Sequence, residues 1–205
     1  MRKLIVSWCA AAALAAAQYK VEPAGAPPSD LAVSSVLSSE GVKVVKADGS
    51  ALAELWLVKQ LPTGGKAEDN TSLAGVPHGA LLGVMRFPAR HSDRRGQTIK
   101  PGVYTLRLSF FPLNGDHQGV APQRDFLILS LASADTNAAS KPEFDTLMDM
   151  SRKASGTPHP LVLSVWKGEG GSPATFAAEG EHDWALTTRL GSTSIAVILI
   201  GRHEG

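Results

Sequence analysis

Six histidines are the residues best suited to chemistry in this chain: His78, His91, His117, His159, His182 and His203. Each sits in a turn-like context, and four have an acid within two positions. Imidazole with carboxylate is the donor set that zinc and other transition metals take, the acid also serving to orient the ring. No HxH, HxxxH or HExxH spacing occurs, so local geometry fixes no pair of ligands. Gly115-Asp116-His117-Gln118-Gly119 is the most pointed of these settings. Glycines on both sides let the backbone turn sharply and present Asp116 and His117 at a strand end. His159 lies between two prolines that restrict its backbone, and it is the residue expected to complete a site with His117. Asp116, His117 and His159 are therefore the candidate metal ligands, with zinc as the candidate ion.

Other chemistries are poorly supplied. His91, Ser92 and Asp93 hold the residue types of a hydrolase triad, but adjacent residues cannot adopt triad geometry, and no GxSxG elbow is present. The neighbouring Arg90, Arg94 and Arg95 could grip a carboxylate or phosphate through the guanidinium fork. The plainer reading is a solvated charged loop. Arg124-Asp125 reads as an ion pair at a strand start. Trp56, Trp166 and Trp184 fall in strand-like runs. They would stack a sugar if they faced outward together, although large aromatics more often fill β cores. The glycine run 168–171 follows a strand without opening a helix and reads as a turn, not a phosphate cradle.

These residues need elements to hold them, and the elements read as strands. Val42–Ala47 and Ala51–Lys59 flank Asp48-Gly49, the pair favoured at a two-residue hairpin turn because both positions tolerate positive φ. Further strands are expected at 80–87, 103–111, 124–132, 161–166, near 174–178, and in two last runs joined by Gly191-Ser192. Tyr104, Leu106 and Leu108 alternate with Thr105, Arg107 and Ser109. The run 124–132 is apolar enough for burial on both faces. One helix interrupts the strands. Ser140 and Glu143 form a capping box, Phe144, Leu147 and Met148 a stripe, and Gly156 a stop. A weaker helical pattern spans Asp30–Glu40. Eight or nine mostly hairpin-linked strands and no βαβ rhythm predict an all-β fold, mainly an antiparallel β-sandwich or jelly-roll-like, with one or two short helices.

The N-terminus reads as a secretory signal over residues 1–17. Arg2 and Lys3 precede an uncharged apolar stretch, and Ala15-Ala16-Ala17 fits signal peptidase. The stretch is shorter than the ~20 apolar residues of a spanning helix. Cys9 follows the bulky Trp8, which disfavours a lipoprotein. Residues 18–29 are rich in proline, alanine and glycine and read as a flexible segment. Residues 30–205 read as a single β-sandwich domain. The formal charge is +1, and removal of Arg2 and Lys3 would bring it to −1, which leaves no electrostatic footprint for nucleic acid. Cys9, the only cysteine, leaves with the signal, so cysteine-based chemistry and disulfides are excluded from the rest.

The segment Ile99-Lys100-Pro101-Gly102-Val103-Tyr104-Thr105-Leu106 resembles the Pro-Gly-x-Tyr-x-Leu turn and strand of secreted β-sandwich modules, among them transthyretin-like and carboxypeptidase-regulatory-like domains. The stretch from Arg95 to Leu129 resembles uncharacterised exported bacterial β-sandwich proteins. The resemblance implies export and a β fold, and it brings no activity.

The expectation is a periplasmic or secreted module that binds a small molecule or a protein rather than an enzyme. Its partner would meet the loops at 90–96, 114–119 and 157–160, with Arg94, Asp116, His117 and His159 as ligand-binding residues. A metal-dependent enzyme or metal-binding protein using the loop histidines is the alternative, and a carbohydrate-binding module is the third reading. No cofactor motif, nucleic-acid partner or transmembrane segment beyond the signal is expected.

Overall fold

The computed structural model describes residues 18–111 and 124–202. Twelve strands run along these residues: β1 (Tyr19–Gly25), β2 (Gly41–Lys46), β3 (Ala51–Leu57), β4 (Leu81–Phe87), β5 (His91–Ser92), β6 (Thr98–Ile99), β7 (Gly102–Phe110), β8 (Asp125–Leu131), β9 (Leu161–Lys167), β10 (Thr175–Glu179), β11 (Asp183–Leu190) and β12 (Thr193–Ile200). One helix, α1 (Phe144–Ser155), joins them. The fold is all-β and antiparallel, as expected. Within that class, ten strands form one sheet in the order β1-β2-β3-β4-β7-β8-β9-β12-β11-β10, so the layers of a sandwich are joined into a nearly closed barrel. The two end strands meet through side chains. Tyr19 on β1 packs its ring 5.1 Å from Phe176 on β10 and 5.3 Å from Trp184 on β11.

Alternation along β7 sorts the barrel. Tyr104, Leu106 and Leu108 join the interior core, together with Leu127 and Leu129 of β8 and Leu161, Leu163 and Val165 of β9. The opposite face of β8 is apolar too, because α1 covers it. Phe126 and Ile128 pack with Leu147 and Met148 of the helix and Val162 of β9. Ser151 bolts the helix down, donating to the Leu129 carbonyl (2.6 Å) and accepting from the Leu161 amide (2.9 Å).

Arg107, on that outer face, is completely buried. Its Nε and Nη2 donate to the two Asp135 carboxylate oxygens at 2.6 and 2.8 Å. The guanidinium also donates to the carbonyls of Gly79, Asn137 and Ser140. Thr105 donates to Asp135 at 2.6 Å. A buried charge this fully satisfied clamps the segment 132–143 against the sheet.

Several local expectations change. Tyr19–Gly25, expected as part of a flexible segment, is an edge strand paired along β2. The alternation of Tyr19 and Val21 with Lys20 and Glu22 outweighs the proline and glycine content, and an edge tolerates Pro23. The segment Asp30–Glu40 holds only a single 3-10 turn, Ser34–Val36. Val33 and Leu37 flank it and are buried at the end of the barrel, so tertiary burial rather than helical periodicity places them. Glu143, not Ser140, is the N-cap of α1, without a side-chain cap. The Ser140 hydroxyl is taken by the Arg107 clamp. Gly156 ends the helix in the left-handed region as expected.

The β2–β3 connection closes from the Lys46 amide to the Ser50 carbonyl, one residue longer than the two-residue turn expected. Only Gly49 of the Asp-Gly pair takes positive φ, at 82°. Asp48 instead accepts from the Ser50 amide and hydroxyl, at 2.9 and 2.6 Å. Among the described residues, no helix is long and apolar enough to cross a membrane. Residues 1–17, which carry the expected signal, lie outside them.

Candidate functional site

Antiparallel pairing gives the barrel two ends, and they differ. At one, β4 and β8 end while β7 and β9 begin, which brings together the loops 88–101 and 156–160. Of the charges singled out there, Asp93, Arg94 and Arg95 each hold another piece of chain, while Arg90 is exposed. Asp93 is buried and accepts the amides of Arg95 (3.0 Å) and Gln97 (2.9 Å) and the Arg95 guanidinium (2.8 Å). Arg95 also donates to the Pro160 carbonyl at 2.7 Å, joining the two loops. Arg94 donates through Nε to both Asp183 oxygens, at 2.9 and 3.0 Å, and ties the loop to β11. His91 donates from Nε2 to the Leu199 carbonyl (2.6 Å), with its ring stacked 4.8 Å from Phe87. Burial pushes its pKa below the ordinary histidine value.

The four candidate ligand-binding residues do not form a common cluster within the described chain. Arg94 is engaged by Asp183. His159 exposes its side chain, and its backbone is what the loop uses: its carbonyl accepts from Ser155 (2.8 Å) and its amide donates to Thr157 (3.1 Å). Asp116 and His117 lie outside the described residues. Their segment leaves the sheet at Phe110 and returns at Asp125, which are paired with each other at the end opposite Gly102 and Leu131. His159 precedes Leu161, the partner of Leu129. At about 3.3 Å per residue, Asp125 and Leu129 are ~13 Å apart along β8. The three loops expected to share a face thus spring from both ends of the barrel. Among the described residues, no three histidine, aspartate, glutamate or cysteine side chains gather as a metal would require.

The tryptophans separate as well. Trp56 is buried and donates to the Gly25 carbonyl at 2.9 Å, so it offers no face to a sugar. Trp184 packs on Tyr19 and Phe176 at the barrel seam. Arg124 pairs with Glu68 rather than with Asp125. Asp125 turns inward and accepts the amides of Ser72 (2.7 Å) and Leu73 (3.0 Å).

One chemically suggestive pair was not visible in the sequence. His78 Nε2 lies 3.0 Å from Ser109 Oγ, 31 residues along the chain. This is the separation of a base and its nucleophile. Ser109 is completely buried, so no electrophile reaches its oxygen. The pair holds residues 77–80 against β7. Burial lowers the His78 pKa, opposed by the nearby Glu143 and Glu68 and by the Pro142 carbonyl.

The second end has room. Here the segment 30–40 closes much of the barrel mouth: the Lys59 amide donates to Val36 (3.0 Å), the Ser38 amide to Leu57 (2.8 Å), and the Lys59 ammonium to the Ser35 carbonyl (2.8 Å). The β11–β12 turn crosses close by. Gly191 takes φ +58°, and a Cβ there would lie 3.3 Å from the Lys59 carbonyl oxygen, so both conformation and space favour glycine. Between the turn and β2–β3 a cleft of about 300 Å³ remains. Val42, Leu55, Leu57 and Val58 give it an aliphatic floor, and Glu40, Lys59 and Arg189 give it charge, with the hydroxyls of Ser38 and Thr188 beside them. A shallower groove of about 510 Å³, lined in part by Val36, Pro62 and Leu81, adjoins it across Val58 and Lys59. No motif announced these residues. No protein-family model, curated protein or solved structure matches the chain.

Proposed function

We propose that the protein is an exported binding module that holds a small ligand in the cleft at the open end of its barrel. Export rests on the signal-like residues 1–17. The binding role rests on one observation, the cleft itself: an aliphatic floor of Val42, Leu55, Leu57 and Val58 bordered by Ser38, Glu40, Lys59, Thr188 and Arg189. Barrel mouths are a preferred place for such sites, and polar groups set beside an apolar lining orient a small ligand. The other end supports the same reading by contrast, since Asp93, Arg94 and Arg95 there are already engaged within the chain.

The test is a panel of short aliphatic acids, amines and amino acids, followed through the amide resonances of the ¹⁵N-labelled protein. At least one member is expected to shift Ser38, Leu57, Lys59 and Thr188. Val42→Trp, which places a large ring over the cleft, is expected to abolish the response. Shifts confined to residues 90–97 and 157–160 would move the binding role to the other end.

A further inference from the structure

The charges around the cleft are of both signs, and that narrows what the cleft takes. We infer that its ligand is a small zwitterion with a branched aliphatic body, of the class of a free hydrophobic amino acid or its dipeptide. This rests on the binding role proposed for the cleft.

Lys59 and Arg189 supply two cations. Each has one hydrogen bond to a carbonyl of the rim, to Ser35 and Ser192 respectively. An ammonium carries three donors and a guanidinium five, so both keep donors for a carboxylate. Glu40 supplies the opposite sign. It is exposed, and its carboxylate belongs to no ion pair among the described residues. The cleft therefore offers donors for a carboxylate and an acceptor for an ammonium along one aliphatic floor.

Simpler ligand classes meet only part of this. An aliphatic monoanion satisfies the cations and leaves its body beside an unanswered Glu40. An aliphatic monocation meets Glu40 against two like charges. An uncharged sugar forfeits the floor of Val42, Leu55, Leu57 and Val58. A molecule with both termini and a branched side chain uses all three features, with the charge-assisted hydrogen bonds setting its orientation. Size agrees. About 300 Å³ is ~10 times the volume share of a liquid water molecule, near the lower limit for ligand pockets. That accommodates an amino acid or a dipeptide.

The experiment compares three probes on the wild-type protein by amide-resonance titration: L-leucine, 4-methylpentanoate, which lacks the ammonium, and 3-methylbutylamine, which lacks the carboxylate. Leucine is expected to shift the amides of Ser38, Lys59, Thr188 and Gly191. Each half-molecule is expected to bind about tenfold more weakly, the usual loss when one charge-assisted hydrogen bond is deleted. Glu40→Gln, at an exposed position, is expected to retain the melting temperature and to erase the preference for leucine over 4-methylpentanoate. If 4-methylpentanoate shifts the same amides as tightly as leucine, the zwitterion is wrong and the cleft remains a site. If none of the three shifts a cleft amide while other members of the wider panel do, the ligand class is again overturned and the site stands. Silence of the cleft toward every compound overturns both.

Discussion

The two ends of this barrel carry similar numbers of suggestive residues and use them differently. At the sealed end, Asp93, Arg94, Arg95 and His91 are each bonded to chain that would otherwise be loose: two loops, the start of β11 and the end of β12. At the open end, Glu40, Lys59 and Arg189 border a cleft over an aliphatic floor. The richest polar run in the sequence serves structure, and the better candidate site is built from residues without a motif. A charged side chain signals function by what it lacks a partner for, and partners are set by topology.

This contrast can be broken by mutation. The largest effect is expected midway between the ends, where Arg107 is buried with Asp135. Arg107→Ala strands the Asp135 carboxylate without water, and stability should fall by about 3–5 kcal/mol, measured by denaturant unfolding. Replacing both partners with apolar residues should recover part of the loss. At the sealed end, Asp93→Ala removes the acceptor of two amides and a guanidinium, and about 2–3 kcal/mol should be lost. Glu40→Gln at the open end should leave the unfolding curve within ~0.5 kcal/mol of wild type. Equal effects from these two changes would erase the distinction between the ends.

Acid sharpens the comparison, because each region carries one histidine whose pKa burial depresses. The unfolded chain takes up these protons first, as pH falls through about 6.5. Stability is therefore full above that value and declines below it toward the folded-state pKa values. His91 can keep donating to Leu199 when protonated, and a protonated His78 can donate to the Ser109 hydroxyl, so burial rather than a lost hydrogen bond sets the penalty at both. His78→Gln and His91→Gln should each flatten the acid limb of a stability–pH profile. The smallest loss expected among the changes at the sealed end belongs to Arg94→Ala. Its ion pair with Asp183 is partly exposed, and the loss should be about 1 kcal/mol or less, without change in ligand binding.

Much of the fold was legible in the chain. The period-2 pattern of Tyr104 to Ser109 and the doubly apolar run after Arg124 gave both faces of β7 and β8, including the face that the helix covers. What stayed hidden depends on residues far apart in sequence. Tyr19–Gly25 becomes a strand because β2 offers an edge, and Ser140 leaves its helix because Arg107 claims it. The cleft was illegible for the same reason. Glu40, Lys59 and Arg189 come from three separate segments, and nothing in their spacing announces that closure of the sheet brings them together. Candidate chemistry read from residue type favoured local runs such as His91 to Arg95, whose partners Leu199, Asp183 and Pro160 lie far along the chain.

The most direct test sets one end against the other in a single binding series. L-leucine, 4-methylpentanoate and 3-methylbutylamine are titrated calorimetrically into wild type, into Val42→Trp at the open end, and into the Arg94→Ala, His159→Ala pair at the sealed end. Wild type and the sealed-end variant are expected to give the same isotherm for the best of the three compounds, and Val42→Trp to give none. Binding that survives Val42→Trp and vanishes with Arg94 and His159 would place the site at the sealed end and contradict the account.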